Sequence, residues 1–136
     1  MRVSVLRPPR TVNMYKILLV DDDEQLRGLI QMFLVQKGYQ VLVTDNGEQA
    51  LEVLQAEKPD LLVLDLTMPK KNGYEVCKAI RSNPNLEISR IKIIVASAKQ
   101  YPLDIRAAQE AGADDYLTKP YHTGDLLAAI EELLGK

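Results

Sequence analysis

Apolar residues along this chain keep two rhythms. Some form short runs, as in Lys16–Val20, Val41–Val43, Leu61–Leu64 and Ile91–Ala96, whose only charged members are Lys16 and Lys92. Runs of that length, rich in Val, Ile and Leu, read as buried strands. Between them apolar positions return every three or four residues. Leu26, Leu29, Ile30, Phe33 and Leu34 share one face of a helix, with Asp22 or Asp23 as its N-cap and Gly38 as its stop. Asp45-Asn46-Gly47 turns the chain into a helix over 48–56, and Pro59 lies beyond its end.

The same alternation continues to the C-terminus. Leu61–Leu64 ends at Asp65, and the segment "TMPKKNGYE" that follows is too long and polar for a simple turn. A helix is predicted over 74–82, with Val76 and Ile80 inward, until Asn83-Pro84-Asn85 breaks it. Pro102 suits the first turn of a helix ending at Gly112. Residues 115–118 form a short fifth strand closed by Lys119-Pro120, and Leu126, Ile130 and Leu133 give the last helix its inward stripe.

Five strands alternating with five helices predict a parallel sheet covered on both faces, a three-layer doubly wound α/β fold. Right-handed crossovers bring every strand's C-terminal end to one edge, where such sheets bind ligands. The residues just past those ends are Asp21 and Asp22 (first strand), Asp65 (third), Ser97 (fourth) and Lys119 (fifth). This placement explains four consecutive acids, Asp21–Glu24, at the mouth of an apolar strand. Clustered carboxylates repel, and a hard cation such as Mg2+ offsets the repulsion. Lys119 and Ser97 add partners for phosphoryl oxygens, and a carboxylate can itself accept a phosphoryl group.

Composition narrows the picture. The 136 residues suit one domain, with 46% hydrophobic and 26% charged residues. A net charge of −2 speaks against a nucleic-acid binder, and no apolar run approaches the length of a membrane span. One cysteine, Cys77, precludes an internal disulfide, and the expected compartment is the cytoplasm. Residues 1–13 carry Arg2, Arg7, Arg10 and a Pro8-Pro9 pair. Met14 is the expected natural start, residues 1–13 being a flexible or non-native extension and 14–136 the domain.

At the rim residues the sequence resembles the receiver domain of two-component response regulators. "LLVDDDEQLR", "DLLVLDLTMPKKNGYE", "IIVASA" and "AGADDYLTKPY" stand in the family's order from Met14 to Lys136. The resemblance implies a flavodoxin-like fold with strand order 2-1-3-4-5. It implies that Asp65 is the phosphoacceptor and that Asp21, Asp22, Asp65 and the backbone carbonyl of Thr67 surround Mg2+, Asp21 mainly through water. Lys119 would pair with the phosphoryl group, ahead of a cis Lys119–Pro120 peptide. Ser97 would move to the phosphoryl group and Tyr116 swing inward behind it, with the small Ala98 leaving room. Ser97 stands where threonine is commoner and Tyr121 where phenylalanine is usual.

The resemblance further implies a stand-alone, chemotaxis-regulator-like receiver, charged by a sensor histidine kinase or a histidine phosphotransfer protein. It would act as a monomer or a phosphorylation-dependent dimer. Its output would be a protein contact through the fourth helix, fifth strand and fifth helix, with no nucleic acid or membrane partner. It would not be an enzyme beyond its own phosphorylation and dephosphorylation. Thr67 and Lys99, two residues past Asp65 and Ser97, are expected to tune phosphoryl lifetime, and a kinase could use Lys70 and Lys71. His122 reads as an exposed residue near a helix start, and Cys77 as a small, partly buried apolar one. Two rivals are an aspartyl phosphatase of the haloacid dehalogenase class, using Asp21 and Asp23 in a DxD pattern, and an unphosphorylated scaffold.

Overall fold

The computed structural model describes residues 15–67 and 72–135. The expectations for residues 1–13, Met14, Lys70 and Lys71 fall outside the described residues. The elements run β1 (Lys16–Val20), α1 (Glu24–Gln36), β2 (Gln40–Thr44), α2 (Gly47–Glu57), β3 (Leu61–Asp65) and α3 (Gly73–Arg81). A helical turn (Leu86–Ser89) precedes β4 (Lys92–Ser97), α4 (Pro102–Ala111), β5 (Asp115–Thr118) and α5 (Thr123–Leu134). All strand pairs are parallel, in the order β2-β1-β3-β4-β5.

The central strands are apolar on both sides because each of their faces has its own core. Leu18, Leu62, Leu64, Ile93 and Val95 pack with Ala50, Leu54, Val76, Ile80 and Ala108 from α2, α3 and α4. Ile17, Leu19, Leu61, Val63 and Ile94 pack with Ile30 and Leu34 of α1 and Leu126 and Ile130 of α5. The edge strands are less covered: Gln40 and Val43 of β2 are exposed, and all of β5 is half-buried. Among the described residues neither edge strand pairs with a further strand on its outer side.

Short polar side chains start the helices where the sequence places them. Asp23 accepts from the Leu26 N–H at 3.1 Å and so caps α1, which leaves Asp22 uncommitted. Asn46 caps α2, and Asn72 with Glu75 forms a reciprocal capping box on α3. Two predictions need correction. Leu29, placed on the inward stripe of α1, is 60% exposed, beside exposed Met32 and Val35. The buried arc is centred on Leu26, Ile30 and Leu34, and at about 100° per residue Leu29 falls about 100° from its middle. The segment after Pro84 is also more than a break, since Asn85 accepts from the Glu87 N–H and nucleates the turn Leu86–Ser89.

Far from the sheet's C-terminal rim, Arg81 ties four segments together. Its Nε and Nη2 reach the Gly112 carbonyl at 3.0 and 2.7 Å, and its Nη1 reaches those of Ser89 and Ile91 at 2.8 and 2.7 Å. Nη2 also meets Asp114 Oδ2 at 3.0 Å, and that oxygen accepts the Ile93 N–H at 2.8 Å. Gly112 is suited to this junction twice over. Its φ is +116°, and a Cβ there would lie 2.6 Å from Arg81 Cγ.

Candidate functional site

Register brings the predicted residues together. Asp65 is the last residue of β3, and β1 lies beside it in parallel, so the chain leaving β1 puts Asp21 and Asp22 on the same rim. Oxygens of Asp21, Asp22 and Asp65 all lie within 4.8 Å of one another. Lys119, just past β5, reaches inward from the far edge. Its Nζ donates to Asp21 Oδ2 at 2.7 Å and to Asp65 Oδ2 at 3.3 Å. The Lys119 N–H is held by the Ser97 carbonyl at 2.7 Å, and the Lys119–Pro120 peptide is cis.

Each buried acid has a second support. Asp65 Oδ1 accepts the Thr67 N–H at 3.1 Å, and Asp21 Oδ1 accepts the Asp23 N–H at 2.9 Å. The floor is tight as well. The Gly73 N–H donates to the Leu66 carbonyl, and a Cβ on Gly73 would lie 2.7 Å from the Asp65 carbonyl oxygen. The start of α3 can approach β3 this closely only with glycine there.

Burial pushes the Asp65 carboxyl above its ordinary value. The Thr67 N–H and Lys119 pull it back, and the Asp21 charge adds to the rise. Burial would lower the Lys119 ammonium, but its two carboxylate partners outweigh that and raise it. The Tyr121 hydroxyl is pushed up to about 12 by burial and by the charges of Asp21 and Asp65. The three carboxylates supply hard oxygen donors, the set that suits Mg2+, and their mutual closeness fits a shared cation.

Ser97 is buried, and its Oγ accepts the Lys99 N–H at 3.1 Å. The Tyr116 hydroxyl donates to the Lys99 carbonyl at 2.7 Å. Burial raises the Tyr116 phenol, with the Ser97 hydroxyl beside it pulling the other way. The two predicted switch residues therefore grip the same short loop. Other predicted roles sort out simply. Asp23 is spent on the α1 cap, His122 is exposed at the start of α5, and Cys77 is fully buried, its thiol pushed up to about 11 by burial.

One supporting residue escapes a reading of strand ends. Arg27, six residues past Asp21 on α1, sends Nη1 back to the Asp21 carbonyl at 2.8 Å. Its only sequence signal is that spacing, and spacing alone does not tell a back-reaching arginine from a solvated one.

Parallel β2-β1-β3-β4-β5 topology with acids after β1 and β3 and a lysine before a cis proline after β5 defines a class. The chain belongs to the response regulator receiver domain family, whose description matches residues 17–131. Among curated proteins it is 43% identical over 121 residues to the transcriptional regulatory protein CpxR of Escherichia coli K12, covering 89% of this chain and 50% of that protein. It is 40% identical over 119 residues to the alkaline phosphatase synthesis transcriptional regulatory protein PhoP of Bacillus subtilis, covering 88% of this chain and 48% of that one. The chain thus spans about half the length of these relatives. Among solved structures, the receiver domain of the sensor histidine kinase PA1611 from Pseudomonas aeruginosa superposes with a TM-score of 0.82 at 28% identity. That match covers 90% of this chain and 99% of that one, which carries a magnesium ion in its active-site cleft. Among the described residues no helix is long and apolar enough to cross a membrane.

Proposed function

We propose that this receiver accepts a phosphoryl group on Asp65 from a phosphohistidine of a sensor kinase or phosphotransfer protein. The observation that carries this reading is the meeting of Asp21, Asp22 and Asp65 oxygens within 4.8 Å beside the Lys119 ammonium. An Asp65 oxygen forms the new P–O bond while the P–N bond to the imidazole breaks, and the ring nitrogen keeps the electron pair. Lys119 leans on Asp65 already and can follow the transferred oxygens as a point charge. Asp21, Asp22, Asp65 and the Thr67 carbonyl would hold Mg2+, which when bound neutralises charge on the phosphoryl oxygens.

Output follows from the loop that Ser97 and Tyr116 share. A phosphoryl group on Asp65 offers the Ser97 hydroxyl a stronger acceptor, and a moving Ser97 frees Tyr116 to reset against Lys99. That shift would reach α4, β5 and α5, the proposed partner surface, as a monomer or a phosphorylation-dependent dimer. Thr67 and Lys99, flanking the site, would tune how long the phosphoryl group lasts. The −2 net charge argues against nucleic-acid contact by the receiver itself.

Intact mass after incubation with a small phosphodonor and Mg2+ tests the chemistry. One phosphoryl adduct on the wild type, absent without Mg2+ and absent in Asp65→Asn, upholds it. An adduct that survives in Asp65→Asn, or none on the wild type, overturns it. The mass of the protein from its source tests the stand-alone reading. A mass up to 15.3 kDa supports it, and roughly double, as the lengths of CpxR and PhoP suggest, replaces it with a linked output domain.

A further inference from the structure

We infer that Arg27 is a positioning residue for the metal-binding acids, acting by pinning the Asp21–Asp22 peptide. The inference rests on the reading of Asp21, Asp22 and Asp65 as the Mg2+ site. The three acids are not held alike. The Asp21 and Asp65 carboxylates are fixed by Lys119 and by the backbone N–H groups of Asp23 and Thr67. Asp22 is exposed, and among the described residues its carboxylate takes no hydrogen bond or ion pair. Only its backbone attachment therefore limits where it can reach.

That backbone is anchored at two points on the preceding residue. The Asp21 N–H donates to the Thr44 carbonyl at 3.2 Å, which ties the end of β1 to β2. The Asp21 carbonyl accepts from Arg27 Nη1 at 2.8 Å. The Asp21 carbonyl and the Asp22 N–H share one rigid peptide plane. Holding that oxygen fixes the plane and the Asp22 Cα that lies in it, which narrows the space from which the Asp22 side chain can reach the site. α1 supplies a stiff mount for the guanidinium, because its N-terminus is capped by Asp23, the next residue along the same loop.

Electrostatics makes the idea testable by sign. A guanidinium close to a cation site repels the cation, so deleting its charge without any positioning effect would tighten Mg2+ binding. Losing the pin does the opposite, because Asp22 would have to be ordered when the ion binds. Residues that orient metal ligands typically contribute about 10- to 100-fold in affinity. Arg27 acts through backbone, so the low end is expected.

The experiment is Mg2+ titration of the full chain by calorimetry at neutral pH and fixed ionic strength, without phosphodonor. Variants are Arg27→Met, which keeps the apolar stem and helix propensity, Arg27→Lys, which keeps a charged donor, and Asp22→Asn. Thermal melting without divalent ions checks that each is folded. The expected result is a Kd raised about 10-fold in Arg27→Met and largely restored in Arg27→Lys. Arg27→Met should add almost nothing on the Asp22→Asn background, since there is then no carboxylate to aim. A Kd in folded Arg27→Met that is unchanged or lower than wild type overturns the inference while leaving the Mg2+ site intact. No Mg2+ binding by the wild type would instead overturn the site on which it rests.

Discussion

Asp65 is 7% exposed and stands beside a second carboxylate, with Lys119 shared between the two. Its raised pKa means that the fold disfavours its charged form, so a neutral isostere should relieve a cost. Without divalent ions at pH 7, Asp65→Asn should be more stable than wild type, read as a higher urea midpoint. The pH dependence has a definite sign. A buried acid with a raised pKa is protonated more readily in the folded state, so wild type recovers as pH falls through that raised value toward 3.8. Asparagine does not titrate, and the gap between the two proteins should close over that acid window. A gap that widens on acidification would mean that Lys119 outweighs burial at Asp65.

Elements carry their own lesson, and α1 shows it best. Gly28 lies mid-helix with nothing within 4 Å of where a Cβ would stand. Gly28→Ala should stabilise the protein by about 0.5–1 kcal/mol in thermal or urea unfolding, with the phosphorylation chemistry unaltered. Loss of stability would show that the exposed face of α1 is more crowded than its neighbours imply. The strands were the most legible elements, because β1, β3 and β4 are buried on both faces and so read as near-continuous apolar runs. From them the rim and its acids followed directly. Leu29 was misplaced because an apolar residue beside the buried arc continues the helical period without reaching the sheet. The turn after Pro84 was hidden because its four residues owe their shape to one Asn85 cap rather than to any repeat. Arg27 was invisible for a related reason: its partner is a backbone carbonyl, and every residue has one.

At the scale of the molecule, opposite edges of the sheet are organised by opposite charges. The C-terminal rim gathers three carboxylates, two of them on one ammonium. Beyond the N-terminal end of β4, Arg81 distributes its donors among three carbonyls and Asp114. Removing that guanidinium would leave three half-buried carbonyls and a carboxylate short of partners. Arg81→Met should therefore cost about 2–4 kcal/mol in urea unfolding. A loss below about 0.5 kcal/mol would mean that water replaces the guanidinium without penalty. The ion pair at the other end has a temporal side. Lys119 and Asp21 are separated by 98 residues of sequence, so a chain emerging from a ribosome presents its acids long before the lysine that tempers them. Until β5 has been made and has taken its place at the sheet edge, those acids lack their cation. A copy that stops short of β5 thus holds Asp21 and Asp65 without the ammonium that bridges them.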